Sequence, residues 1–145
     1  MNDSMLDVPP QPRPDADTVG FWEATEHGRL ALCRCRECRR WQHPPLERCA
    51  ACGGPTGFEP VSGAGTVFSF IVANRASVPG FSELTPYAVA LVELDEQPGL
   101  RLASRLGGID AHQVEIGMRV QAEIEALPGG NHHIPVFRPV PAPPE

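Results

Sequence analysis

A chain of 145 residues with 41% hydrophobic content can build one ordinary domain, or a small stapled module beside a compact second one. It holds no apolar run near the roughly 20 residues a bilayer-crossing helix needs, so no membrane partner is expected. A net charge of −6 argues against general attraction to phosphate backbones, and the first residues lack the basic start and apolar core of a secretory signal. The chain is therefore expected in the cytoplasm, where thiols stay reduced and cysteines serve as metal ligands more readily than as disulfides.

In chain order, residues 1–17 are rich in proline and acidic side chains, with too little apolar surface to offset the entropy of ordering, and are expected as a disordered arm. Asp17 or Thr18 can cap a short helix through Phe21, Trp22 and Glu26 that ends at Gly28. Adjacent aromatics point to different parts of a helix surface, so Phe21 and Trp22 meet different neighbours. Residues 29–34 alternate well enough for a short strand leading into the first cysteine pair.

Cys35-Arg-Glu-Cys38, ten intervening residues and Cys49-Ala-Ala-Cys52 form a paired CxxC arrangement. Each pair turns two sulfurs to one side, and the two turns can face each other around a tetrahedral Zn²⁺. Four thiolates leave zinc no open position for water, so the spacing predicts one structural zinc and no hydrolytic centre. Gly53 suits the knuckle after the second pair; Arg39 holds the matching place after the first. Cys33 is left as a spare thiol, because Cys33-Arg-Cys35 makes a poorer turn. A thioredoxin-like dithiol would need a strand, a helix and a single such pair. His43 precedes Pro44-Pro45 inside the ribbon and reads as a packing or turn residue, since the four cysteines already fill the site.

All twelve basic residues are arginines, and Arg29, Arg34, Arg36, Arg39, Arg40 and Arg48 crowd around the cysteines. They offset the net charge of −2 on a zinc tetrathiolate, or they form a contact surface for acidic groups.

Beyond Gly63 and Gly65, residues 66–73, 87–94, 100–106, 119–126 and 134–138 are apolar or alternating runs of strand length. Five short strands is the count of an OB-fold barrel, and residues 107–117 supply the turn or short helix between its third and fourth strands. Loops 74–86 and 127–133 join the first to the second strand and the fourth to the fifth, the two connections such barrels use for ligands. The chain thus divides into an arm (1–17), a helix with a rubredoxin-like zinc ribbon (18–62), a mainly β barrel (63–139) and a disordered tail (140–145). His132 and His133 have no catalytic partner fixed to them by sequence. Glu93, Asp95 and Glu96 fit solvation around a turn at Gln97-Pro98-Gly99. Nothing here argues for catalysis.

The helix with Phe21-Trp22-Glu23-Ala24, Gly28-Arg29-Leu30, the two CxxC pairs with His43-Pro44-Pro45 between them, Gly65-Thr66-Val67, the stretch from Pro86 to Leu94, and Ile116-Gly117-Met118-Arg119-Val120 follow one another in an order that resembles a known family. It is the family of zinc-ribbon and OB-fold proteins first catalogued as a domain of unknown function, family 35, which accompany thiolases and related CoA enzymes. The resemblance covers roughly residues 18–139. It implies a non-catalytic accessory subunit with no catalytic residue of its own, associated with a thiolase-fold enzyme (thiolase, aldolase or acyltransferase) or an enoyl-CoA hydratase in lipid or steroid metabolism. It also implies zinc on Cys35, Cys38, Cys49 and Cys52, and a place beside the partner's acyl-CoA channel as a further expectation. Phe21, Trp22, Trp41 and Phe81, with Arg36, Arg39 and Arg40, are the candidate contacts to partner or CoA; core packing is the alternative for each aromatic. The rival class is a single-stranded nucleic-acid-binding protein, but the barrel is sparse in the aromatics and basic residues that stack and neutralise such strands.

Overall fold

Helix α1 (Val19–Glu26) starts beside Asp15, whose carboxylate accepts from the backbone N–H groups of Asp17 and Thr18 and from the Thr18 hydroxyl. Thr18 occupies the cap position but makes no side-chain cap bond; Asp15 supplies the acceptor. These hydrogen bonds, led by the Thr18 hydroxyl, hold Asp15 below the usual carboxylate range. The helix stops in a Schellman turn: Gly28 N–H reaches Thr25 O, Arg29 N–H reaches Ala24 O, and Gly28 takes φ +75°. The protein is described here from a computed structural model covering residues 8–76 and 78–141. Residues 1–7 of the expected arm and 142–145 of the expected tail lie outside the described residues. In the described part of the arm, Pro9 is buried and Gln11 donates to Pro128 O.

Two antiparallel sheets follow. The ribbon sheet has order β2-β1-β3, from β1 (Ala31–Cys35), β2 (Trp41–Gln42) and β3 (Thr56–Pro60). The register of β1 on β3 runs from Ala31↔Pro60 to Cys35↔Thr56, so the strand expected over 29–34 is shifted slightly toward the metal site. The barrel strands are β4 (Ala64–Ala73), β5 (Tyr87–Leu94), β6 (Arg101–Arg105), β7 (Arg119–Ala126) and β8 (His133–Pro139), in the order β6-β5-β4-β7-β8. A parallel bridge between Leu106 and Phe137 brings the two edges together, which makes this a nearly closed five-stranded OB-fold barrel. A 3-10 turn at Ala111–Gln113, capped by Asp110 Oδ1 on His112 N–H, fills the stretch between β6 and β7.

Strand β5 shows why the barrel forms. Ala88, Ala90, Val92 and Leu94 point inward and are buried, while Tyr87, Val89, Leu91 and Glu93 alternate outward. Gly65 lets β4 approach β5 closely, since a Cβ there would lie 2.7 Å from Glu93 O. Side chains reinforce the closing seam: Arg138 pairs with Glu123 and Glu125, Arg105 pairs with Glu125, and the Ser104 hydroxyl donates to Pro135 O.

Ribbon and barrel share one core. Leu30, Leu32 and Trp41 belong to the same buried cluster as Val67, Val92, Leu102, Val120 and Phe137. Trp41 N–H donates to Gln97 Oε1 at 2.9 Å, and Gln97 Nε2 donates back to Trp41 O at 3.0 Å. The turn of one sheet thus completes the backbone pairing of the other. No described helix is long and apolar enough to cross a membrane.

Candidate metal centre and contact surface

Cys35 ends β1, Cys38 lies in the turn that follows, and Cys49 and Cys52 flank the facing turn that leads into β3. Their four sulfurs lie within 4.8 Å of one another, with Cys35 and Cys52 at 3.5 Å and Cys38 and Cys49 at 3.6 Å. A tetrahedron with Zn–S bonds of about 2.3 Å has edges of roughly 3.8 Å, so the donor set fits a single zinc ion, whereas the spacing is far too long for a disulfide. Backbone N–H groups already aim at the sulfurs: Glu37 and Cys38 at Cys35 Sγ, Ala51 at Cys49 Sγ and Gly54 at Cys52 Sγ, all between 3.3 and 3.4 Å. Burial would raise the Cys35 thiol, but the Cys38 and Glu37 N–H groups outweigh it and bring Cys35 down to about 6. Against a lowering bond from Gly54 N–H, the surrounding sulfurs push Cys52 up to about 12. Sulfurs this close cannot all ionise without a cation among them, which is the chemistry of a metal site.

Cys33 stands apart from this cluster. It is buried and donates its thiol to Leu46 O at 3.6 Å, as a spare core thiol should. His43 is half-buried, and burial lowers its pKa; it lines an apolar cleft of about 180 Å³ with Phe21, Trp22, Leu32, Phe58 and Leu102. Gly53 takes φ +75° and Arg39 φ +66° in the two knuckles. A non-glycine residue in that region is strained by about 1–2 kcal/mol. Arg39 also pairs with Glu59 at 2.7 Å, a half-exposed contact of modest value. In a Glu59→Gln background, Arg39→Gly is expected to stabilise the protein by about 1 kcal/mol, read as a rise in the denaturant midpoint. No gain would mean that the knuckle is not strained.

The sequence-designated contact residues fall into distinct places. Phe21 packs against the core, and Trp22 meets Phe21 edge-on at 4.8 Å and His132 at 5.6 Å, so the helix ties the barrel loop to the ribbon. Phe81 lies against Tyr87 at 5.9 Å in the loop after β4. Trp41 is corrected from candidate contact to core: it is only 6% exposed, with the Arg34 guanidinium 4.5 Å over its ring. Its ring turns inward beside Leu30 and Leu32, the other buried ribbon side chains in the core shared with the barrel. Arg36, Arg39 and Arg40 are all exposed; among the described residues Arg36 and Arg40 have no ion-pair partner, while Arg39 has Glu59. Glu93 pairs with Arg101, Asp95 with Arg119, and Glu96 accepts Ser62 N–H, so these carboxylates serve turns and strand edges.

One surface was not singled out from the sequence. Ile71 is 67% exposed and Phe68 45% exposed on the outer side of β4, the latter with Arg101 stacked 3.6 Å over its ring, and Val78 and Leu84 are exposed in the loop that follows. The signal was present in 66–73, which is apolar at both parities: a bulge between Val67 and Ser69 switches the inward parity, so that Val67, Phe70 and Val72 pack on the core while Phe68 and Ile71 face out.

The chain matches the family models described as the ChsH2 rubredoxin-like zinc ribbon domain, over residues 22–59, and the ChsH2 C-terminal OB-fold domain, over residues 58–125. It is 41% identical over 133 residues to a Thermomonospora curvata protein named "Probable enoyl-CoA hydratase alpha subunit"; the match takes in 90% of this chain and 40% of that protein, so the chain spans about two fifths of that relative's length. It is 31% identical to a "DUF35 domain-containing scaffold protein" of Methanothermobacter thermautotrophicus, over 72% of this chain and 79% of the other. Among solved structures, a chain of the "Ltp2-ChsH2(DUF35) aldolase" is similar with a TM-score of 0.80 and 38% identity, covering 89% of this chain and 98% of that one.

Proposed function

We propose that this chain, which belongs to the DUF35 family of paired zinc-ribbon and OB-fold domains, is a non-catalytic subunit of an enzyme complex that processes acyl-CoA. The observation that carries the proposal is the likeness, over nearly the whole of that chain, to the DUF35 component of an aldolase. The partner is a thiolase-fold enzyme or an enoyl-CoA hydratase, the second supported by the name of the Thermomonospora relative. Zinc is held by Cys35, Cys38, Cys49 and Cys52 and acts structurally, since four thiolates leave it no open position.

The partner covers apolar and cationic surface that a lone chain would leave in water. Phe68 and Ile71 are suited to its buried centre, Phe21, Trp22 and Phe81 to its margin, and Arg36 and Arg40 to carboxylates or to the phosphates of CoA, which a guanidinium grips in forked pairs. Arg39 joins them to the extent that Glu59 releases it.

Purification through a tag in the native host is expected to bring down an acyl-CoA enzyme. Ile71→Asp and the pair Arg36→Glu with Arg40→Glu are each expected to weaken the complex by about 30-fold, the size of a 2 kcal/mol hot spot. Recovery of a lone chain, of bound single-stranded nucleic acid, or of turnover by the purified chain by itself would sink the proposal.

A further inference from the structure

Loops 74–86 and 127–132 lie where an OB barrel carries its ligand contacts, and in this chain a third segment runs between them. We infer that the groove between the two loops is a binding site for an extended, proline-bearing peptide, and that its occupant is the chain's own segment of residues 8–11.

The contacts come from both sides. On the arm, Pro9 is buried and Gln11 Nε2 donates to Pro128 O at 2.9 Å and to Pro9 O at 3.0 Å, so one amide fixes the segment to the loop and to itself. On the loops, three glycines leave the room that the segment fills. A Cβ on Gly80 would collide with Pro9, one on Gly129 with Val8, and one on Gly130 with Gln11. Gly80 belongs to one loop and Gly129 and Gly130 to the other, so four consecutive residues span both. The Pro9-Pro10 pair is held extended before it binds, which lowers the entropy lost on docking. Gly80 and Gly129 also take φ +89° and +93°, whereas Gly130 is not in the left-handed region, so Gly130 is the position at which added side-chain volume tests the groove without backbone strain.

The segment therefore acts as a strap. It holds the two loops together, and any other molecule that uses this face must first displace it. The inference is independent of the enzyme partner proposed above, because every contact in it is internal.

The test uses the full chain. Pro9→Asp with Gln11→Ala releases the strap without touching the shared core, and a labelled peptide of residues 8–14 is then added in trans. A strap seated about nine-tenths of the time lowers the apparent affinity of the parent chain about tenfold, so the double variant is expected to bind the peptide about tenfold more tightly than the parent. Amides of residues 78–84 and 127–132 should exchange faster in the double variant and slow again when peptide is added. Gly130→Val placed on the double variant should abolish uptake while leaving the melting temperature of the barrel in place. Equal uptake by parent and double variant, no uptake by the double variant, unchanged exchange in both loops, or full uptake in the presence of Gly130→Val would each overturn the inference.

Discussion

Stripping zinc with a strong chelator will unfold the ribbon and lower the stability of the barrel with it. Four thiols gathered within 4.8 Å of one another hold two turns that have little apolar surface of their own. In small zinc domains the metal contributes about 10–16 kcal/mol, as much as the whole net stability of an ordinary domain, about 5–15 kcal/mol. No other crosslink replaces it, since all five cysteines are free thiols. The effect will not stop at the ribbon, because Leu30, Leu32 and Trp41 are buried in the same cluster as the barrel's Val92 and Phe137. A chelator titration that follows zinc release with a metal indicator and tertiary order by near-ultraviolet circular dichroism should show about one zinc per chain, with the aromatic signal lost as the metal leaves. Cys35→Ser should lower the zinc content in the same way, and Cys33→Ser should not, because its sulfur faces Leu46 O. A metal-free chain with an unchanged aromatic spectrum and melting temperature would show that the ribbon stands without its ion.

Much of this was legible in the chain because short-range rules decide it. Residues 87–94 form an apolar run of strand length and 119–126 alternate, and β5 and β7 begin and end on those residues. The paired CxxC spacing announced the sulfur cluster for the same reason: each turn is local, and only their meeting is tertiary. Strand β3 was not legible. Thr56–Pro60 is half-exposed and contains a glycine, and it becomes a strand only because β1 offers it a partner, Cys33 opposite Phe58. Trp41 was open between interface and core, because an aromatic in a short cysteine-bounded loop has no periodicity to say which way it faces. Its burial depends on Gln97, 56 residues away. The exposed side of β4 was hidden by its own composition, since a run apolar at both parities reads as buried on both faces. At residues 8–11 composition counts only apolar surface and cannot see the three glycines in distant loops that lie against this segment.

Trp41→Ala should destabilise the folded, zinc-loaded protein by about 3–5 kcal/mol, the range for removing a large aromatic from a core. The ring is only 6% exposed, and the Arg34 guanidinium stacked over it adds a further contact. The Gln97 bonds are made to the backbone of Trp41 and survive the substitution, so the loss belongs to the side chain. Chemical denaturation with zinc in excess gives the number, and zinc content measured on the same samples should stay at the parent value. A loss under about 1 kcal/mol would place the ring among surface side chains and uncouple the two sheets. Repeating the comparison without zinc decides what the ring does. Trp41 lies three residues after Cys38 and is held in the core by a ribbon that the metal organises. If the metal sets its position, the ring contributes to the barrel only while zinc is bound, and the cost of Trp41→Ala falls toward zero in the metal-free chain. An undiminished cost there would mean that the barrel holds the ring by itself, with the zinc acting on the two cysteine turns alone.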